Sequence, residues 1–257
     1  MAVPQFLSVA YRYLKLTAVT DVQTIIDNVY AELIANLWTC TAGGSGLTPT
    51  TMLSPLRADR LRLSITLTRT SATQLTLSVA DDLGLAVTKV DQVLEIAAGG
   101  NEVYLCTGAY FCYIASHQGS PIHLFVCGVL DNAPYASLAE PRPAYFATGN
   151  IAFWEDLYTW AIDLDDYDAS HREVKRFNNW TSNQSFISLS GAYMFCPAEI
   201  MDVGEAILLG RLPQIVLLED SIADFTELIV PIDTGVTGTF VVVCSGYHHG
   251  KIAIRKA

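Results

Sequence analysis

Between residues 61 and 79 the chain alternates with a period of two, and this pattern constrains the fold more than any other. Leu61, Leu63, Ile65 and Leu67 are interleaved with Arg62, Ser64, Thr66 and Thr68, and Leu75, Leu77 and Val79 with Gln74, Thr76 and Ser78. Successive side chains of a strand point to opposite faces, so each run has one apolar and one polar side. Thr70-Ser71-Ala72-Thr73 joins the runs. The arrangement predicts an antiparallel hairpin with one face in a core and the other in water. The threonine-rich outer side, where a like-shaped neighbour could dock, makes Leu61, Arg62, Thr66, Thr68, Gln74 and Thr76 candidate interface residues. Lys251 and Arg255, on the chain-terminal strand, join them as candidates.

One helix is legible ahead of this hairpin. Tyr11-Arg12-Tyr13-Leu14-Lys15-Leu16-Thr17 alternates and reads as a strand. Thr20 and Gln23 then have capping-box spacing, with Asp21 in the first turn, where the helix dipole favours a negative charge. Val22, Ile25, Ile26, Val29, Tyr30, Leu33 and Leu37 recur at helical spacing and predict one apolar face, with Asp27, Asn28, Glu32 and Asn36 off it. The helix is expected to stop near Trp38 to Cys40, before the loop signal Gly43-Gly44-Ser45-Gly46.

After the hairpin, strands are expected over 93–96, 103–106, 109–115 and 122–130. The last three show continuous hydrophobicity, the mark of strands covered on both faces. Residues 134–150 are proline-rich (Pro134, Pro141, Pro143) and read as a connection between a strand–helix–sheet part, 1–133, and a β-rich part, 151–257. Residues 151–180 are aromatic and acidic with little regular pattern. Short strands follow at 186–189, 207–208, 214–218, 226–230, 239–244 and 251–254. The predicted class is mainly β (α+β), an antiparallel sandwich or partly closed barrel with one N-terminal amphipathic helix.

Composition decides what such a fold is for. Hydrophobic residues make up 51% of the 257 and charged residues only 16%, against about 25% charged in an average soluble domain. Such a chain either sits in a membrane or is covered by other subunits. Val103–Leu130 lacks a formal charge, but Ser116–Pro121 interrupts it, and a spanning helix needs about 20 consecutive apolar residues. The start of the chain lacks the basic and apolar regions of a signal peptide. These readings predict a soluble chain made in the cytoplasm and buried in an assembly, without a membrane. Fifteen basic against 26 acidic residues, a net charge of −11, disfavours nucleic acid as a general or sequence-specific partner. An acidic balance also suits the inner wall of a conduit through which DNA passes.

Several residue groups resemble sites. Asp163, Asp165, Asp166 and Asp168 supply the hard oxygens that calcium uses. However, Tyr167 and Val174 stand at ligand positions and Asp168 where a glycine is required, so a solvated acidic loop explains them with less. His248 and His249 are adjacent, and neighbours on a strand face opposite ways. A turn at Tyr247–Gly250 accounts for them better than zinc. Cys112 or Cys127 with His117 or His123 would suit a thiol–imidazole pair, but these cysteines lie in the most apolar stretch, away from the electropositive setting a reactive thiol needs. The six cysteines, Cys40, Cys106, Cys112, Cys127, Cys196 and Cys244, show no paired metal-ligand spacing and read as reduced core thiols. Neither an enzyme nor a cofactor is expected.

The order of these pieces resembles a group of tailed-bacteriophage virion proteins with structural roles. The resemblance lies in the helix after a short strand (Asp21–Cys40), the Tyr- and Phe-rich strands at Tyr104-Leu105-Cys106 and Tyr110–Ala115, Gly128 closing the next strand, Leu209-Gly210-Arg211-Leu212-Pro213, and the terminal Ile252-Ala253-Ile254-Arg255-Lys256. The sequence departs from the pattern at Asp131–Tyr135, where an aromatic-rich turn is expected, and in lacking a basic residue in the mid-chain strands. The resemblance implies a homo-oligomeric ring or shell subunit of the virion, near the neck, tail or baseplate, with other virion proteins as partners. A competing expectation is a receptor- or carbohydrate-binding module at a tail tip, with Trp154, Tyr158, Trp160 and Trp180 as stacking platforms.

Overall fold

A computed structural model describes residues 10–56, 62–81, 90–97, 99–117, 122–129, 144–147, 159–163, 173–174, 196–202, 207–218, 222–223, 225–233, 236–245 and 251–256. The described residues begin with β1 (Tyr11–Val19) and α1 (Val22–Ala35). They continue through β2 (Thr39–Ala42), β3 (Thr50–Leu53), β4 (Leu63–Arg69), β5 (Gln74–Asp81) and β6 (Val90–Glu95). Next come β7 (Asn101–Gly108), β8 (Phe111–His117), β9 (Ile122–Val129), β10 (Ala144–Ala147), β11 (Thr159–Asp163) and β12 (Glu173–Val174). The last are β13 (Cys196–Asp202), β14 (Ile207–Leu218), β15 (Glu227–Asp233), β16 (Val236–Ser245) and β17 (Lys251–Arg255). Among the described residues the protein is thus mainly β with antiparallel sheets and one helix, the class its sequence pattern predicts.

The strands form three sheets. Sheet A runs β1-β7-β8-β9-β10-β11-β12, sheet B runs β2-β3-β4-β5-β6 and sheet C runs β13-β14-β17-β16-β15. In sheet B the hairpin has the register its alternation requires, with Ile65 opposite Val79 and Leu67 opposite Leu77. Leu63, Ile65, Leu67, Leu75, Leu77 and Val79 are wholly buried. They share a core with Val22, Ile25, Ile26, Val29 and Leu33 of α1 and with Val103, Leu105, Cys112, Ile114, Phe125 and Cys127 of sheet A. The other side chains of β7–β9, including Tyr104, Cys106, Phe111, Tyr113, Leu124 and Val126, pack against Leu212, Ile215, Val241, Val243 and Ile254 of sheet C. The centre of sheet A is therefore covered on both faces, which is why its sequence carries no charge. Burying each large aliphatic side chain contributes about 1.5–3 kcal/mol.

The helix differs from expectation at both ends. Asp21, not Thr20, is the N-cap: its backbone is extended and its Oδ1 accepts from the Gln23 amide at 2.8 Å. The Gln23 side chain donates to Asp27 instead of reaching back to close a capping box. Asp21 also accepts both arms of the Arg69 guanidinium, at 3.0 and 2.8 Å, fastening the helix start to the end of β4. Helix α1 stops at Ala35, short of Trp38. The Trp38 amide donates to the Leu33 carbonyl and the Leu37 amide to the Ile34 carbonyl, both at 3.0 Å, which is the Schellman arrangement. Leu37 occupies its left-handed position at φ 69° and is 76% exposed, so it leaves the predicted apolar face. Trp38 turns inward and its Nε1 donates to the Gly108 carbonyl.

Further differences concern strands, β2, β3 and β13 among those the sequence did not announce. The separate runs at 207–208 and 214–218 are one strand, β14, kinked at Gln214, whose φ is 56°. The proline-rich connection contributes β10, which pairs with β9. The irregular aromatic segment contributes β11 and β12, both of them additions to sheet A. Gly108 is the last residue of β7, and its place in register with Phe111 explains why a glycine is there. The expected strand at 186–189 lies outside the described residues.

Candidate assembly interface

The outward side of sheet B carries several hydroxyls on its three middle strands. Strand pairing aligns Ala42, Thr51, Thr66, Ser78 and Asp91 in one row across all five strands. A second row aligns Thr68, Thr76 and Val93, and a third Leu53, Ser64 and Ala80. Thr51 and Thr66 share a hydrogen bond of 3.0 Å between their hydroxyls. Ser64, Thr66, Thr68 and Thr76 are half-buried, as expected of neighbours on a pleated face, and Val93 is 40% exposed. Ionisable residues stand at the margins. Arg62 donates to the Ser54 carbonyl at 3.0 Å, and Glu95 accepts from the Gln74 amide group at 2.9 Å.

This brings Arg62, Thr66, Thr68, Gln74 and Thr76 together on one surface. It does not add Lys251 and Arg255, which belong to β17, an interior strand of sheet C between β14 and β16. Arg255 is half-buried at the seam of sheets A and C, 5.3 Å over the Tyr11 ring and donating to the Gln214 side chain at 3.3 Å. Leu61 lies outside the described residues.

The same seam gathers the ionisable aromatics that sequence reading missed. The Tyr104 hydroxyl donates to Glu102 at 2.6 Å, and Lys15 pairs with Glu102 at 2.8 Å while standing 5.3 Å over the Tyr104 ring. Tyr104 stacks on Phe225. Burial, first, holds the Tyr13 and Tyr104 hydroxyls well above the ordinary tyrosine range; nearby Glu102 and Glu227 carboxylates push the same way. Both phenols are therefore neutral near pH 7 and unsuited to act as bases. The signal for this cluster was the alternation of Tyr11, Tyr13 and Lys15, which marked a strand without saying what it would meet.

The candidates for chemistry are dispersed. Cys106, Cys112 and Cys127 are wholly buried free thiols, and burial pushes Cys112 up to about 12 and raises the other two. A thiolate nucleophile is thereby disfavoured at these three positions. Among the described residues no three His, Cys, Asp or Glu side chains gather as a metal site requires. Asp163 ends β11, whereas Asp165, Asp166 and Asp168 lie outside the described residues, as do Trp154, Tyr158, Trp180, His248 and His249. Trp160 lies in β11, opposite Glu173 of β12. No helix among the described residues is long and apolar enough to cross a membrane. A scan against protein-family models finds no match to this chain, and a search of curated proteins finds none.

Proposed function

We propose that this chain is a non-enzymatic structural subunit of a tailed-phage particle, joining copies of itself and other virion proteins around the neck, tail or baseplate. The observation that carries the assembly part is the outer face of sheet B: its middle strands β3, β4 and β5 carry Thr51, Ser64, Thr66, Thr68 and Thr76 there, with Arg62 and Glu95 at the margins, in a chain of net charge −11. Charged side chains keep ordinary sheet faces solvated and single, and their scarcity here favours a protein partner. The one-sided strands β2 and β6 border that face, and unpaired strand edges are natural sites of addition. The phage part rests on the resemblance of element order and of the Tyr- and Phe-rich strands. No catalytic residue or cofactor enters this reading, and its place of work is the virion, after synthesis in the host cytoplasm.

The test is the mass of the purified chain in solution, alone and mixed with the other proteins of its particle. A ring, or recruitment into a larger complex, is the expected result. A lone chain that ignores every candidate neighbour would overturn the proposal.

A further inference from the structure

We propose that Cys112 and Cys127 form a reversible disulfide between β8 and β9, a redox-responsive crosslink inside sheet A. It is independent of the assembly proposed above. Three observations single out this pair.

The first is register. Cys112 of β8 stands directly opposite Cys127 of β9, and both side chains enter the core shared with α1 and sheet B. Of the cysteines whose register is described, no other two face each other. Cys40 is opposite Met52, Cys106 opposite Tyr13 and Tyr113, Cys196 opposite Leu217, and Cys244 opposite Ile252. Cys106 is one residue out of step and enters the other core, with sheet C. The sheet itself therefore stands between Cys106 and the pair.

The second is reach. The Val129 amide donates to the Tyr110 carbonyl at 2.8 Å. Hydrogen-bonded positions recur every second residue of an antiparallel ladder, so Cys112 and Cys127 form such a pair, with Cα atoms about 5.5 Å apart. Disulfides most often span about 5.5–6 Å between Cα atoms. The Cys127 thiol already leans across, donating to the Cys112 carbonyl at 3.5 Å. Opposite Cβ atoms stand about 4.5–5.5 Å apart, however, and a bridge brings them to about 3.8 Å. Closing that gap strains the bond, and strained disulfides are the ones readily reduced.

The third is access. Both thiols are wholly buried, and burial raises them, so little thiolate is present in the closed sheet. Exchange therefore runs through opening of β8 and β9 or accompanies folding. One protein thiolate attacks a small disulfide, oxidised glutathione for example, forming a mixed disulfide and releasing one small thiol. The second thiolate attacks the protein sulfur of that mixed disulfide and releases the other small thiol. Two electrons pass from the protein sulfurs to the small disulfide, and the two thiol protons end on the released thiols. The pair stays reduced where thiols abound and bridges where they are scarce.

The experiment refolds the full chain from urea in a mixture of oxidised and reduced glutathione. Linked peptides are then mapped by mass spectrometry without reduction. A parallel sample is oxidised while still in urea, where the short loop favours Cys106 with Cys112, the cysteines nearest in sequence. The refolded chain is expected to give Cys112–Cys127 as the main link among Cys106, Cys112 and Cys127. Excess reduced glutathione should return both thiols. Cys106→Ala should leave the yield unchanged, whereas Cys127→Ala should abolish it without moving the link to Cys106. A cooperative urea transition shows that the variants fold; if they do not, the wild-type map decides the matter by itself. Refolded chains with all three thiols free, or with Cys106 linked as often as in urea, would overturn the crosslink. A Cys112–Cys127 bond that survives excess reduced glutathione would overturn its reversibility.

Discussion

Phe111 shows how tightly single residues are fixed in the centre of the molecule. It lies in register between Gly108 of β7 and Gly128 of β9, and stacks on Tyr113 with ring centroids 4.7 Å apart. A Cβ added at Gly128 would stand 2.6 Å from the Phe111 Cβ, and one at Gly108 would run into the ring. Gly128→Ala is therefore expected to destabilise the protein by about 1–3 kcal/mol, the usual cost of overpacking, read as a lower urea midpoint with an unchanged slope. The thiols give a second expectation. Because burial raises the folded values of Cys106, Cys112 and Cys127, their stabilising contribution is fully present below the ordinary 9.0 and declines as pH rises above it, since the unfolded thiols ionise first. A thiol-alkylating reagent near neutral pH should leave these three unlabelled in the native protein and reach half-buried Cys40 before any of them. Mass spectrometry of native and urea-unfolded samples checks this.

At the scale of elements, the end of α1 carries the clearest expectation. Leu37 holds a left-handed backbone at φ 69° with its side chain in solvent, a conformation that costs most residues about 1 kcal/mol or more and glycine little. Leu37→Gly is expected to raise stability by about 0.5–1 kcal/mol, measured by thermal or urea unfolding; a loss would mean the exposed side chain has a partner. The same residue explains why the helix end was illegible in the sequence: the stop lacks its glycine, and Leu37 continues the apolar spacing. The hairpin β4–β5 was legible because alternation reports a strand with one buried face directly. Strand β10 was hidden because Ala144-Tyr145-Phe146-Ala147 is too short to show a period and follows Pro141 and Pro143. The shared surface of Arg62, Thr66, Thr68, Gln74 and Thr76 was legible because polarity alternates there. The place of Arg255, apart from that surface, was not legible, because period two separates two faces without saying that both will be covered, as they are for β17.

For the molecule as a whole, sheet A is the shared wall between two cores. Its middle strands β7, β8 and β9 contribute buried side chains to the core with α1 and sheet B and to the core with sheet C. Their amides are expected to exchange with solvent more slowly than those of β2 or β15, which border their sheets; hydrogen exchange followed by mass spectrometry reads the difference. The pairing of β1 with β7, Tyr13 opposite Cys106, has a consequence in time. The first strand leaves the ribosome about ninety residues ahead of its partner, a delay of several seconds at about 5–20 residues per second. Sheet B, built from neighbours in sequence, can close during that interval, because short loops cost little entropy to form. Nascent chains would thus pass through a stage in which one sheet is complete while Tyr11, Tyr13 and Leu14 still await the strand that covers them.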